Sequence, residues 1–299
     1  MTVAPEGTAS LPEVVESKDG LRARLEAARV AGIAQGRPFS VGLVPTMGFL
    51  HEGHLSLARR ARVENDLVVM SIFVNPTQFG PAEDLDRYPR DLDRDLSLAA
   101  GEGVDLVFHP SAEEMYAPGH CTWVDVEGLS EVLCGRARPG HFRGVATVVT
   151  KLFALCRPDR AYFGQKDAQQ ALIVRRMAAD LDLGVEVVVC PIVRDADGVA
   201  MSSRNAYLTP QQRARAPILN RALRAAQHAL ESGERDAGAV KDAALKVLAE
   251  DPPDRVDYVE VVSADDLREP QVVRGEVVVA AAVFFGATRL IDNVLVKVP

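Results

Sequence analysis

Val41-Gly-Leu-Val-Pro-Thr-Met-Gly-Phe-Leu-His-Glu-Gly-His54 is the stretch whose reading decides the fold. A short apolar strand, about Ser40 to Val44, runs into a turn built on Pro45 and Gly48. His51-x-Gly-His54 then opens a helix that Leu55, Leu57, Ala58 and Ala61 continue. A helix N-terminus presents unpaired backbone N–H groups and a partial positive charge, so it is a ready phosphate site. Two imidazoles three residues apart at that end can both lean over a bound polyphosphate, and Gly53 lets the backbone come close without a Cβ. The blander alternatives are surface histidines or half of a zinc site. Zinc needs at least a third ligand, and His109, His120, His141 and His228 are scattered, with no cysteine at the usual spacing. Strand, glycine turn and helix start together read as a nucleotide site.

Outward from this motif the chain alternates. Leu21–Ala34 has helical spacing and is broken by Gly36-Arg-Pro38. Asp66-Leu-Val-Val-Met-Ser-Ile-Phe-Val74 is almost continuously apolar, as a strand covered on both faces of a parallel sheet must be. Strand, helix, strand of this length is a βαβ unit with an expected right-handed crossover. Further strands are read at Val104–Phe108, Arg160–Phe163 and Val185–Val189, the last as a buried one. Helices are read at Gly144–Cys156 and after Gly164-Gln-Lys-Asp167, where Gln169, Gln170, Leu172, Ile173 and Met177 follow. Pro81–Asp95 is acidic and proline-bearing and reads as a solvated flap. Residues 1–193 are therefore expected to form an α/β, doubly wound parallel-sheet (Rossmann-like) domain.

Past Val193 the texture changes. Arg194-Asp-Ala-Asp-Gly198 is a turn signal and Met201-Ser-Ser-Arg-Asn205 a polar loop. Two helices, Pro210–Ser232 and about Ala237–Glu250, precede strands near Val256–Val262, Val277–Phe285 and Arg289–Val296. Helices first and strands after predict a smaller α+β domain over 194–299.

Length and charge set the bounds. A chain of 299 residues, 47% hydrophobic and 25% charged, has enough material for a large core. Arg and Lys total 34 against 42 Asp and Glu, a net charge of −8, which argues against a broad nucleic-acid footprint. Cys121, Cys134, Cys156 and Cys190 are widely spaced and read as buried thiols in a reducing cytoplasm. Met1–Gly20 lacks the pattern of a signal peptide, and the longest apolar run, Val277–Phe285, is too short to cross a bilayer.

Four places look chemical: the histidine motif, Asn75–Gly80, Gly164–Gln170 and Met201–Arg204. Three of them follow strands of the first domain, so a parallel sheet gathers them along one edge. Lys166 and Arg204, each a surface charge when taken singly, form with His51 and His54 a cage for a triphosphate, and Ser202 and Ser203 add hydroxyls. Gln78 and Gln170 are neutral amides, able to bind hydroxyl and carboxylate groups without quenching a nucleophile by charge pairing.

In order along the chain, Pro45-Thr-Met-Gly48 with His51-Glu-Gly-His54, Phe73-Val-Asn-Pro76 with Gln78-Phe-Gly80, Tyr162-Phe-Gly-Gln-Lys-Asp167 and Met201-Ser-Ser-Arg-Asn205 resemble the pantoate–β-alanine ligases of the HxGH nucleotidyltransferase superfamily. The likeness runs from about Pro38 to Asn293. Each motif is modest, but the ordered set is specific. It implies an ATP-dependent, AMP-forming condensation of pantoate with β-alanine through a pantoyl adenylate, with Mg²⁺, in a cytoplasmic homodimer. By position it implies ATP contacts from Met47, Gly48, Phe49, Leu50, His51, Glu52, Gly53 and His54, with His54 as proton donor. Gly164, Gln165, Lys166 and Asp167 would contact ribose and phosphate, Val193 the adenine, and Met201, Ser202, Ser203 and Arg204 would close over the nucleotide. Gln78 would hold pantoate and then β-alanine, with Gln170 also on pantoate, while Tyr88 and Arg138 stand near the pocket. Gln165 and Phe49 depart from what many relatives carry there.

Metal ligands are left unassigned, and the run Asp84, Asp86, Asp91, Asp93 and Asp95 reads as a solvated surface. Two rivals remain: a nucleotidyltransferase with a phosphorylated acceptor, which needs a further cationic site, and a regulatory module that binds ATP without releasing pyrophosphate.

Overall fold

The computed structural model describes residues 10–36, 38–81 and 83–299. The residues before Ser10, and Arg37 within the predicted Gly36-Arg-Pro38 break, lie outside the described residues. Six parallel strands form the main sheet: β1 (Glu13–Val15), β2 (Val41–Thr46), β3 (Leu67–Ile72), β4 (Leu106–Phe108), β5 (Arg160–Gly164) and β6 (Glu186–Cys190). Their spatial order is β1-β4-β3-β2-β5-β6, with every pairing parallel. From β2 the chain builds outward through β3 and β4, then returns across the sheet to start again at β5. The reversal point lies between β2 and β5. It is also where the sheet opens: β2 pairs with β3 from Val41 through Thr46, but with β5 only at Gly42 and Leu43. Pro45, which has no N–H to give, lies in this part of β2 beyond the β5 ladder. A crevice at the carboxyl end of such a reversal is where open α/β sheets bind ligands.

Helices α1 (Lys18–Ile33), α2 (Glu52–Glu64), α3 (Leu92–Gly101), α4 (Ala112–Met115), α5 (Cys134–Ala137), α6 (His141–Cys156) and α7 (Ala168–Asp180) fill the connections. Two apolar layers result, one holding α1, α6 and α7 against the sheet, the other α2 and α3. The expected α/β class is therefore met.

Beyond the sheet come α8 (Pro210–Arg215), α9 (Pro217–Glu231) and α10 (Ala237–Leu248), then an antiparallel meander of β7 (Arg255–Ser263), β8 (Gly275–Phe285) and β9 (Thr288–Val298). The alternation along β8 explains its unbroken apolar run. Val277, Val279, Ala281, Val283 and Phe285 pack with α9 and α10, whereas Val278 and Ala280 join the core of the first sheet. The small sheet is thus buried on both faces and its strands are fastened to the larger one.

Four sequence expectations change. The single helix Pro210–Ser232 is two, because Pro217 has no N–H to continue the ladder and Ala216 ends one helix and begins the next. β6 is an edge strand, half-buried rather than buried. Cys121 is exposed, although Cys134, Cys156 and Cys190 are buried as expected. The acidic stretch read as flap, Pro81–Asp95, ends in the first turn of α3, and its last residue, Asp95, is buried. No helix among the described residues is long and apolar enough to cross a membrane.

Candidate active site

The turn between β2 and α2 is held from below. Gly48 and Phe49 have φ of 82° and 51°, a left-handed pair that is costly for the non-glycine residue. The N–H groups of Phe49 and Leu50 each donate to Asp95, at 2.7 Å to its two carboxylate oxygens. Asp95 is only 1% exposed. An acid read from the sequence as solvated is therefore the anchor of the turn between β2 and α2. Thr46 adds a second brace, donating its hydroxyl to Ser71 O at 2.6 Å and accepting from Gly48 N.

His51 caps α2. Its Nδ1 accepts from Gly53 N at 3.1 Å, and His54 Nδ1 accepts from His51 N at 3.4 Å. A backbone N–H can only donate, so both Nδ1 atoms are bare and each neutral ring carries its proton on Nε2. The rings lie 4.0 Å apart. Gly53 serves this arrangement directly, since a Cβ there would come within 2.8 Å of the His51 ring. Burial, then the charge of Lys166, lowers the His51 pKa to about 4. Burial, His51 and Lys166 hold His54 well below its ordinary value. Two neutral Nε2–H donors thus stand at the amino end of a helix.

Lys166 follows β5 in a one-turn helix and meets Asp167 at 3.1 Å. Burial disfavours the Asp167 charge, but Lys166 and Arg204 outweigh it and keep the carboxyl below its usual range. This loop is clamped from β9, where Asn293 Nδ2 donates to the carbonyls of Gln165 and Lys166 at 2.9 and 3.0 Å. Asn293 had no local signal, because its partners are over a hundred residues away. Arg204 donates from Nε and Nη2 to both oxygens of Asp84, each at 2.9 Å. Arg138 likewise grips Glu83, the residue before Asp84, and the Tyr88 ring lies under the Arg204 guanidinium at 5.9 Å. The segment 83–88 is therefore tied to the site by two ion pairs.

A cavity of about 170 Å³ is lined by Met47, His51, His54, Gln78, Lys166, Gln170, Ser202, Ser203 and Arg204, with Phe73, Val148, Val149, Leu152 and Phe163 as apolar walls. Gln78 is buried; its Nε2 contacts Met47 Sδ at 3.0 Å and its Oε1 accepts from Asn75 at 3.1 Å. The adjacent Gln169 is spent on the fold, bonding Leu129 O, Val132 O and Cys134 N, while Gln170 lines the cavity. A second cavity of about 830 Å³ adjoins the first and shares Lys166, Asp167, Gln170, Ser202 and Arg204 with it.

Not every residue of the predicted set points inward. Leu50 is in the core, Glu52 pairs with Arg59, and Gln165 bonds Asn293, so a ligand would meet these residues through their backbone. Phe49 lies under the Arg94 guanidinium. Val193 lines neither cavity; its carbonyl accepts from Met201 N at 3.0 Å and ties those two segments together. Gly164 faces open space. Among the described residues no group of three His, Cys, Asp or Glu side chains could hold a metal. Asp84 and Asp167, acids that line the cavities, are already paired with Arg204 and Lys166.

Comparison with known proteins places this architecture. The family described as pantoate-beta-alanine ligase matches residues 13–295. A pantothenate synthetase of Moorella thermoacetica is 56% identical over 286 residues, 96% of this chain and 99% of its own. A crystal structure of pantothenate synthetase from Thermus thermophilus is 48% identical with a TM-score of 0.87, covering 94% of this chain and 98% of that one. The pantoate-beta-alanine ligase of Francisella tularensis, complexed with beta-gamma ATP and beta-alanine, is 30% identical with a TM-score of 0.76, covering 95% and 97%.

Proposed function

This chain belongs to the pantoate–β-alanine ligase family, and from that premise we propose that it condenses pantoate with β-alanine through a pantoyl adenylate, consuming ATP and releasing pyrophosphate and AMP. The observation that carries the reading is the pair of Nε2–H donors on His51 and His54, lining one cavity with Lys166, Arg204, Gln78 and Gln170.

Adenylation requires the pantoate carboxylate to attack the α-phosphorus while the bond to pyrophosphate breaks. Gln78 and Gln170 hold the acid through neutral amides, leaving its carboxylate charge available for attack. Lys166, Arg204 and the amino end of α2 take up charge as pyrophosphate leaves, and His54 Nε2–H is the donor to the departing oxygen. The acyl phosphate formed is open to hydrolysis, and the apolar walls of Phe73, Val148 and Leu152 keep water from it. The amine of β-alanine then attacks the acyl carbon and AMP departs. No covalent enzyme nucleophile enters, so catalysis rests on positioning and charge stabilisation. The chain from 194 onward acts as a second domain that closes over the nucleotide, Met201–Arg204 being its contact segment. A homodimer working in the cytoplasm completes the reading.

The described residues do not build a magnesium cage. The ion fits better as a companion of the triphosphate, held by phosphate oxygens and water. A phosphorylated acceptor is disfavoured, because the acceptor cavity offers amides and apolar walls where a second phosphate would need further cations.

The test is exchange of labelled pyrophosphate into ATP with Mg²⁺ and no β-alanine. Exchange should depend on pantoate and be lost in His54→Ala and Lys166→Ala, both with unchanged circular dichroism. Exchange without pantoate, or wild-type exchange in either variant, would refute the assignment.

A further inference from the structure

The Gln78 peptide is met by a histidine that no motif contains. His141 opens α6 directly after Gly140, whose φ of 84° turns the chain into the helix. Its Nδ1 lies 2.8 Å from the peptide oxygen of Gln78, and its Nε2 lies 3.0 Å from Arg138 Nη1. A carbonyl oxygen only accepts and a guanidinium only donates. The ring must therefore carry its proton on Nδ1 and be bare at Nε2, the reverse of His51 and His54. Arg138 Nη2 reaches the same carbonyl at 3.3 Å. One turn further along α6, a Cβ on Gly144 would overlap the Thr77 carbonyl and come within 2.7 Å of Gln78 N. Asn75 then bridges Gly144 O at 3.2 Å and Gln78 Oε1 at 3.1 Å. The first turn of α6 and the Asn75–Gln78 loop are thus locked at both main chain and side chain.

We propose that His141, as the neutral Nδ1–H tautomer, is a positioning residue that fixes the Gln78 peptide and so directs the Gln78 amide at the acid substrate. This rests on the reading that Gln78 holds pantoate.

The experiment compares full-length His141→Ala, His141→Asn and Gln78→Ala, measuring KM for pantoate, KM for ATP and kcat separately. Loss of a buried hydrogen bond should raise the pantoate KM of His141→Ala about tenfold or more. Its ATP KM should stay within about twofold of wild type. His141→Asn places an amide donor where Nδ1 stands and should recover most of the loss. A parallel rise in both KM values, or an Asn variant no better than Ala, would overturn the positioning role. Should the Ala variant not fold, the Asn variant alone decides: a near-normal pantoate KM supports the proposal and a tenfold rise, as for Ala, sinks it. Gln78→Ala separates the two layers. A normal pantoate KM there removes the reading of Gln78 and the inference with it, whereas a raised one beside a normal His141→Ala removes the inference alone.

Discussion

Replacing Asp84 by Asn should weaken the nucleotide-free enzyme and strengthen its hold on ATP by a similar free energy. Arg204 is proposed to meet the triphosphate, yet its Nε and one Nη2 N–H are given to the Asp84 carboxylate, each at 2.9 Å. The side chains are 13% and 28% exposed, so the pair is only partly screened. Opposite charges about 4 Å apart attract by about 4 kcal/mol at an effective dielectric of about 20. Desolvation takes back part of that, leaving about 1–3 kcal/mol. Asn retains one acceptor and turns an N–H₂ toward a guanidinium that can only donate, so most of this is lost. Binding ATP requires Arg204 to exchange carboxylate for phosphate, and in the variant that exchange no longer costs the same amount. ATP should then bind roughly 5- to 100-fold more tightly. Urea unfolding would measure the first effect and titration calorimetry with ATP the second. Burial raises the Asp84 pKa, but Arg204 outweighs it and the net shift is downward. The stability difference between the two proteins should therefore be present at neutral pH and disappear as pH falls below the ordinary carboxylate range. Unchanged or weaker ATP binding by Asp84→Asn would refute the exchange of partners.

Two further outcomes follow from the same geometry. Burial and then Arg138 lower the His141 pKa to about 4, and burial with Lys166 does the same for His51, so the folded state refuses protons that the unfolded chain accepts. Stability should fall as pH drops from about 6.5 to about 4, by roughly 3 kcal/mol for the His141 ring alone. Urea midpoints across that range should show a shallower slope in His141→Asn, and an equal slope would mean that the ring is not held neutral. Gly144→Ala should cost about 1–3 kcal/mol despite the better helix propensity of alanine, because the clash is with backbone that cannot swing aside. Gly164→Ala, facing open space, is the control; equal thermal midpoints for the two variants would contradict the packing described.

What could be read from residue order was whatever carries its geometry locally. The continuous apolar run at Asp66–Val74 announces a covered strand, and a glycine turn before two histidines announces a helix start, so both β3 and the start of α2 were visible. β1 was not, since three residues at a sheet edge leave no periodicity to detect. Asp95, Asp84 and Asp86 look alike in a row of acids. Only the fold reveals that Asp95 meets two amides some 45 residues earlier and Asp84 a guanidinium 120 residues later. His141 was equally silent, its partner carbonyl lying 63 residues back.

The two neighbouring glutamines mark the boundary between these cases. Gln169, Ile173 and Met177 recur at four-residue spacing on the buried stripe of α7. Gln170, Val174 and Ala178 recur at the same spacing, and Val174 and Ala178 are buried too, so the buried face is wide enough to take either glutamine. Helical phase therefore marks the face but does not decide which glutamine turns to the core and which to the cavity. Tertiary contact decides it, bringing Leu129, Val132 and Cys134 to Gln169 and leaving Gln170 at the cavity. A buried face is thus legible from periodicity, and the partner of each polar residue on it only from the closed fold. By that division Gln78, whose side chain is held by Asn75 three residues away but whose carbonyl answers to His141, belongs half to each.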